Sequence, residues 1–118
     1  MAIETTTALR PPILIEPHEW EELSGLLKRY VPGRRVWAFG SRATGQRVRR
    51  FSDLDIAVEG EDLPFDEISL LREALDESRL PFKVDVVELG RVAPEFRSRI
   101  QSELVLLQER ESSGVQSS

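Results

Sequence analysis

Residues 36–58 read VWAFGSRATGQRVRRFSDLDIAV, and this stretch decides the fold. Arg35 to Phe39 is a short run of β-formers closed by Gly40-Ser41, so it reads as a strand ending in a turn. Asp53 to Val58 alternates small or acidic residues with Leu54, Ile56 and Val58. That is the period of two expected of a second strand. Between them, Ser41 to Ser52 is polar, arginine-rich and carries Gly45. It is expected to begin as a helical turn and continue as a loop.

Working outward, Trp20, Leu23, Leu27 and Tyr30 recur at helical spacing, which predicts a helix over 17–31 with Pro17 in its first turn. Pro32-Gly33 stops it. Ile68, Leu71 and Leu75 predict a helix over 65–79, and Pro81 bars its continuation. Phe82 to Leu89 alternates again, with Val84 and Val86 on one face and Asp85 and Val87 on the other. Phe96, Ile100, Leu104 and Leu107 predict a last helix over 94–110. The order implies an α/β (α+β) domain with a three- or four-stranded sheet flanked by helices. Residues 1–16, with Arg10-Pro11-Pro12 before Ile13-Leu14-Ile15, are expected to form an extended arm that adds an edge strand or docks on a partner. Residues 17–110 form the domain, and 111–118 read as a frayed tail.

Composition bounds the chemistry. The 118 residues hold no cysteine and one histidine, His18. Disulfides, thiolate metal sites and multi-histidine sites are therefore excluded, leaving carboxylates, hydroxyls, arginines and backbone. A net charge of −5 argues against general nucleic-acid binding, although Arg42, Arg47, Arg49 and Arg50 leave local anion binding open. No apolar run approaches the roughly 20 residues of a membrane span, and MAIETTTALR lacks the pattern of a signal peptide. A cytoplasmic protein is the expectation.

Asp53 and Asp55 project to one face of their strand, and Asp85 lies in the next. Carboxylates crowded on one sheet face repel each other in a low dielectric, and cations relieve this. Hard oxygen donors without His or Cys point to Mg²⁺ or Mn²⁺. Gly40 permits close backbone approach, and the turn that follows directs N–H groups and the Ser41 hydroxyl toward an anion. Arg42 or Arg47 would add charge-assisted contacts. Metal on one side and phosphate on the other describe a nucleoside triphosphate site. Two neighbouring patterns fail. Gln46-Arg47 replaces the Lys-Ser/Thr of a P-loop, and Ala57 and Val58 break an EF-hand.

VWAFGSRATG, SDLDIAV and VDVVEL together resemble the DNA polymerase β-like nucleotidyltransferases, above all the minimal (MNT) branch, over about residues 20–110. One departure is that eleven residues separate Ser41 from Asp53, where ten is common. The resemblance implies the nucleotidyltransferase fold and that Asp53, Asp55 and Asp85 hold two Mg²⁺ ions. Asp85 would also help deprotonate the acceptor. Gly40 and Ser41, with Arg42 beside them, would hold the phosphates of ATP. It implies transfer of AMP from ATP to a hydroxyl. Larger relatives carry a second domain for the acceptor, so the implied acceptor surface comes from another subunit in a homo- or hetero-oligomer. Minimal members are encoded beside a HEPN-type toxin, and the resemblance implies an antitoxin that adenylylates a tyrosine of that toxin. Two alternatives stand beside this: an antitoxin that masks its partner without catalysis, and nucleotidyl transfer to a small molecule.

Overall fold

The computed structural model describes residues 11–45, 52–60 and 64–110. Helix α1 spans Pro17–Tyr30. Its start is fixed by Pro17 in the first turn and by a capping box between Glu16 and Glu19, with the Glu16 N–H donating to Glu19 Oε1 at 2.9 Å. Strand β1 (Val36–Phe39), the single turn α2 (Ser41–Thr44) and strand β2 (Leu54–Val58) follow. Then come α3 (Phe65–Asp76), β3 (Val84–Glu88), α4 (Pro94–Ile100), a 3₁₀ turn (Gln101–Glu103) and β4 (Val105–Gln108). The expected helix over 65–79 stops at Asp76, short of Pro81.

The four strands lie in the order β3-β2-β1-β4. β1 runs antiparallel to both neighbours, and β2 and β3 are parallel, with α3 making the crossover. Period two now assigns every strand residue a face. Val36, Ala38, Leu54, Ile56, Val58, Val84 and Val86 join Leu23, Leu27, Ile68, Leu71 and Leu75 of α1 and α3 in the main core. Each fully buried leucine or isoleucine there contributes about 1.5–3 kcal/mol. The opposite face carries a smaller cluster of Phe39, Ala57, Leu89 and Ile100, against which Phe96 and Leu104 pack. With α1 and α3 on one face, the other is left for the acidic side chains.

Two expectations are corrected. The helix expected over 94–110 ends at Ile100, and residues 105–108 form β4. A short apolar run such as Val105-Leu106-Leu107 fits helix or strand equally by periodicity. Here β1 offers a ladder, pairing Trp37 with Leu106 and Ala38 with Val105. Ile100 and Leu107 also belong to different clusters, on opposite faces of the sheet, which one helix face does not allow. Gln108 then anchors the strand end, its Nε2 donating to the Val31 and Arg34 carbonyls, each at 2.9 Å. The second correction concerns Ile13-Leu14-Ile15. Among the described residues this segment is in none of the four paired strands; Ile13 and Ile15 are buried in the main core while Leu14 stays exposed. The tail over 111–118 and the loop over 46–51 lie outside the described residues.

Candidate functional site

The site forms where β1 ends and β2 and β3 begin. Gly40 closes β1 with φ +84° and ψ −162°, a conformation that only glycine adopts at low cost. A Cβ at this position would collide with Asp55 Oδ2. The Gly40 backbone therefore lies directly on the Asp55 carboxylate. Its N–H donates to Glu103 Oε1 at 2.9 Å. Ser41 opens the α2 turn, where the Ala43 and Thr44 N–H groups both donate to the Gly40 carbonyl at 3.0 Å.

Parallel register places Asp55 directly beside Asp85. Both are half-buried on the face opposite the main core, whereas Asp53 is exposed one residue before β2. Lys83 Nζ approaches Asp85 Oδ1 at 3.7 Å across solvent. Asp55 is the strained member. Burial, then the nearby charges of Asp85, Asp53 and Glu103, push its pKa up to about 6 from an ordinary 3.8. Among the described residues no three carboxylates are gathered tightly enough to ligate one ion. The donor chemistry nevertheless fits a hard divalent cation. All donors are oxygen, and Mg²⁺ is commonly held by one or two carboxylates with substrate phosphates completing its shell.

Gly40, Ser41, Asp55 and Asp85 are thus brought together, with Asp53 at the margin. Arg42 is placed differently from the expectation. It is 6% exposed, with Nε donating to the Ser52 carbonyl at 2.8 Å and Nη1 to the Leu14 carbonyl at 2.7 Å. Its guanidinium stacks 4.2 Å from the centre of the Phe82 ring. Desolvation lowers its pKa, against the opposing pull of Glu19 and Asp53. Arg42 therefore braces the scaffold rather than facing a phosphate. It ties the 11–15 segment and the approach to β2 to the turn after Gly40. Arg42→Ala is expected to destabilise the fold by about 3 kcal/mol, read by denaturant melting, because two carbonyls lose a charged donor. Arg42→Lys is expected to recover little, since a single ammonium cannot reproduce the fork and the stack. Arg47, the other expected phosphate contact, lies outside the described residues.

Glu103 is a fourth carboxylate that the sequence did not single out. It sits in the 3₁₀ turn between α4 and β4. Its approach to Gly40 follows from β4 pairing with β1, and reading 94–110 as one helix conceals it. Among the described residues no helix is long and apolar enough to cross a membrane.

Comparison with known proteins bears on this arrangement. The family description "Polymerase beta, Nucleotidyltransferase" matches residues 21–113. A Haemophilus influenzae protein named probable protein adenylyltransferase MntA is 38% identical over 98 residues, covering 82% of this chain and 85% of that protein. A toxin–antitoxin crystal structure with AMP-PNP contains a similar chain: TM-score 0.62, 26% identity, covering 80% of this chain and 76% of that one. A minimal nucleotidyltransferase structure aligns at TM-score 0.57 and 29% identity over 88% of this chain and 94% of that one. With the family description matched over residues 21–113 and a relative 38% identical over most of both chains, the chain belongs to the polymerase β-type nucleotidyltransferase family.

Proposed function

We propose that this protein is a Mg²⁺-dependent nucleotidyltransferase that moves AMP from ATP to a hydroxyl, a tyrosine, of a HEPN-type toxin and acts as its antitoxin in the cytoplasm. The observation that carries the reading is the packing of Gly40 on Asp55 with Asp85 alongside, which would set a turn suited to phosphate against a carboxylate pair suited to a cation. The name of the H. influenzae relative and the AMP-PNP toxin–antitoxin complex support the nucleotide and the class of partner.

In the proposed reaction the acceptor oxygen attacks the α-phosphorus of ATP. A new P–O bond forms, the α–β anhydride bond breaks, and pyrophosphate leaves. The acceptor proton passes to a carboxylate, a role assigned to Asp85. Mg²⁺, held by Asp53, Asp55 and Asp85, would activate the attacking oxygen and stabilise the leaving one. Gly40 and Ser41 would orient the β- and γ-phosphates. For the Gly40 N–H to reach a phosphate, the Glu103 carboxylate must yield it. Arg42 holds the turn in place without touching the nucleotide.

Incubation with labelled ATP, Mg²⁺ and the adjacent gene's product is expected to add the mass of AMP to that partner. No transfer, with Asp53→Ala still neutralising the partner, would establish instead an antitoxin that works by masking. A simpler measurement is thermal. Mg²⁺-ATP at about 100 times its Kd is expected to stabilise the protein by ~2.7 kcal/mol, and Asp55→Ala to remove that gain.

A further inference from the structure

A cavity of about 700 Å³ opens at the end of the sheet remote from Gly40 and Asp55. It lies where β1 begins and where β2, β3 and β4 end, and Arg34, Arg35, Arg97 and Arg110 line it. Four arginines converging is unexpected on a chain of net charge −5. Arg34 is engaged by Glu67 at 2.7 and 3.1 Å, which holds its pKa above the ordinary value. Arg35 is engaged by Glu109 at 3.2 Å and more loosely by Glu59 at 3.9 Å. Glu59, the acidic residue of the lining, also accepts from Trp37 Nε1. The exposed side chains of Arg97 and Arg110 have no acidic partner among the described residues. Gly33 and Gly60, both at positive φ, and Gly90 supply walls of bare backbone.

We propose that this cavity binds a non-aromatic oligophosphate anion, as a site separate from the carboxylate end. Its volume is that of a small-molecule pocket, well beyond a single phosphate. Guanidinium forks suit phosphate oxygens, and two of the four are available to a ligand. The ligand is not expected to present a nucleobase to the cavity. Among the described residues Leu89 is the sole apolar side chain in the lining, and no aromatic ring is there to stack on. Asp53, Asp55, Asp85 and Glu103 crowd one end of the sheet, whereas at the other Glu59, Glu67 and Glu109 offset Arg34 and Arg35 and leave Arg97 and Arg110 without an acidic partner among the described residues.

This contrast supplies the test, because an anion reaches the acidic end only with a divalent cation. Inorganic tripolyphosphate is titrated calorimetrically into the full chain in EDTA buffer, with ATP as the parallel arm. Saturable one-to-one binding of tripolyphosphate is expected, weakened by salt. ATP is expected to bind no more tightly than tripolyphosphate. Arg97→Ala and Arg110→Ala are each expected to weaken binding roughly tenfold. Among the described residues neither side chain makes a hydrogen bond or ion pair, so melting without ligand should not change. Arg99→Ala, on the same helix but outside the cavity, controls for general charge loss. Absence of saturable binding would overturn the proposal. So would equal weakening by Arg99→Ala, or ATP binding tenfold tighter than tripolyphosphate, which would require a base pocket. The outcome is independent of transfer to the toxin, since no Mg²⁺ is present.

Discussion

Asp55→Asn is expected to abolish nucleotide transfer while making the ligand-free protein more stable at neutral pH. The loss of activity should be at least ~10³-fold, because the change removes several kcal/mol of charge complementarity to the metal that neutralises the phosphates. The gain in stability comes from the same carboxylate. Asp55 titrates near 6 in the folded protein against 3.8 ordinarily, so the folded state binds its proton more tightly than the unfolded state does. Ionising Asp55 therefore opposes folding. The penalty is complete above about pH 6, shrinks as Asp55 takes up its proton between 6 and 3.8, and is absent below that range. Asparagine avoids it. After allowance for solvent screening of a half-buried group, the gain is about 1 kcal/mol, or a rise of roughly 4 °C in Tm. Melting curves at pH 8 and pH 4 check this: the variant should melt higher at pH 8 and alike at pH 4. Mg²⁺-ATP should reverse the order at pH 8 by stabilising only the unmutated protein. A variant less stable than the parent at pH 8 would mean that the carboxylate crowding around Asp55 is not a net cost.

Gly40→Ala is expected to disable both the turn and the carboxylate. Alanine at φ +84° and ψ −162° costs about 1–3 kcal/mol in backbone strain alone. The added methyl also falls on Asp55 Oδ2, while Cγ at 3.4 Å and Cβ at 3.6 Å remain in ordinary contact, so the carboxylate must turn away from its place against the glycine turn. Asp55 must move, and transfer should fall with it. Gly45→Ala is the matched control. Gly45 has φ +78° but, among the described residues, nothing within 4 Å of an added Cβ. It should lose about 1 kcal/mol of stability and keep its transfer rate. The comparison separates the general strain of a left-handed alanine from the particular contact with Asp55. Equal rates in the two variants would remove Gly40 from the site.

The parts of this protein legible in its sequence are those governed by strand alternation. Leu54 and Ile56 could be assigned to the core and Asp55 to the other face from period two alone, and Asp85 followed in the same way. The register that puts Asp55 beside Asp85 adds only that β2 and β3 are neighbours. What stayed hidden depended on contacts between distant residues. Val105 to Gln108 is strand because β1 is there to pair with it. Glu103 becomes part of the site only through that pairing. Arg42, in an arginine-rich stretch beside a phosphate-type turn, looked like an anion contact. Its fate was decided by the Leu14 carbonyl, 28 residues back, and by the Phe82 ring. No local pattern encodes either partner.

The strand order carries a consequence for how the site would come apart. β1 and β2 are each laddered on both sides, whereas among the described residues β3 and β4 each have one side without a strand. Amide exchange in the native state should accordingly be slowest along β1 and β2 and faster along β3 and β4. Gly40 is rooted in the most persistent backbone and Asp85 in an edge that opens more readily. A brief detachment of β3 would carry Asp85 away from Asp55 while leaving the glycine turn and Asp55 in place. The site would dismantle from its Asp85 side and reassemble without the rest of the sheet unfolding.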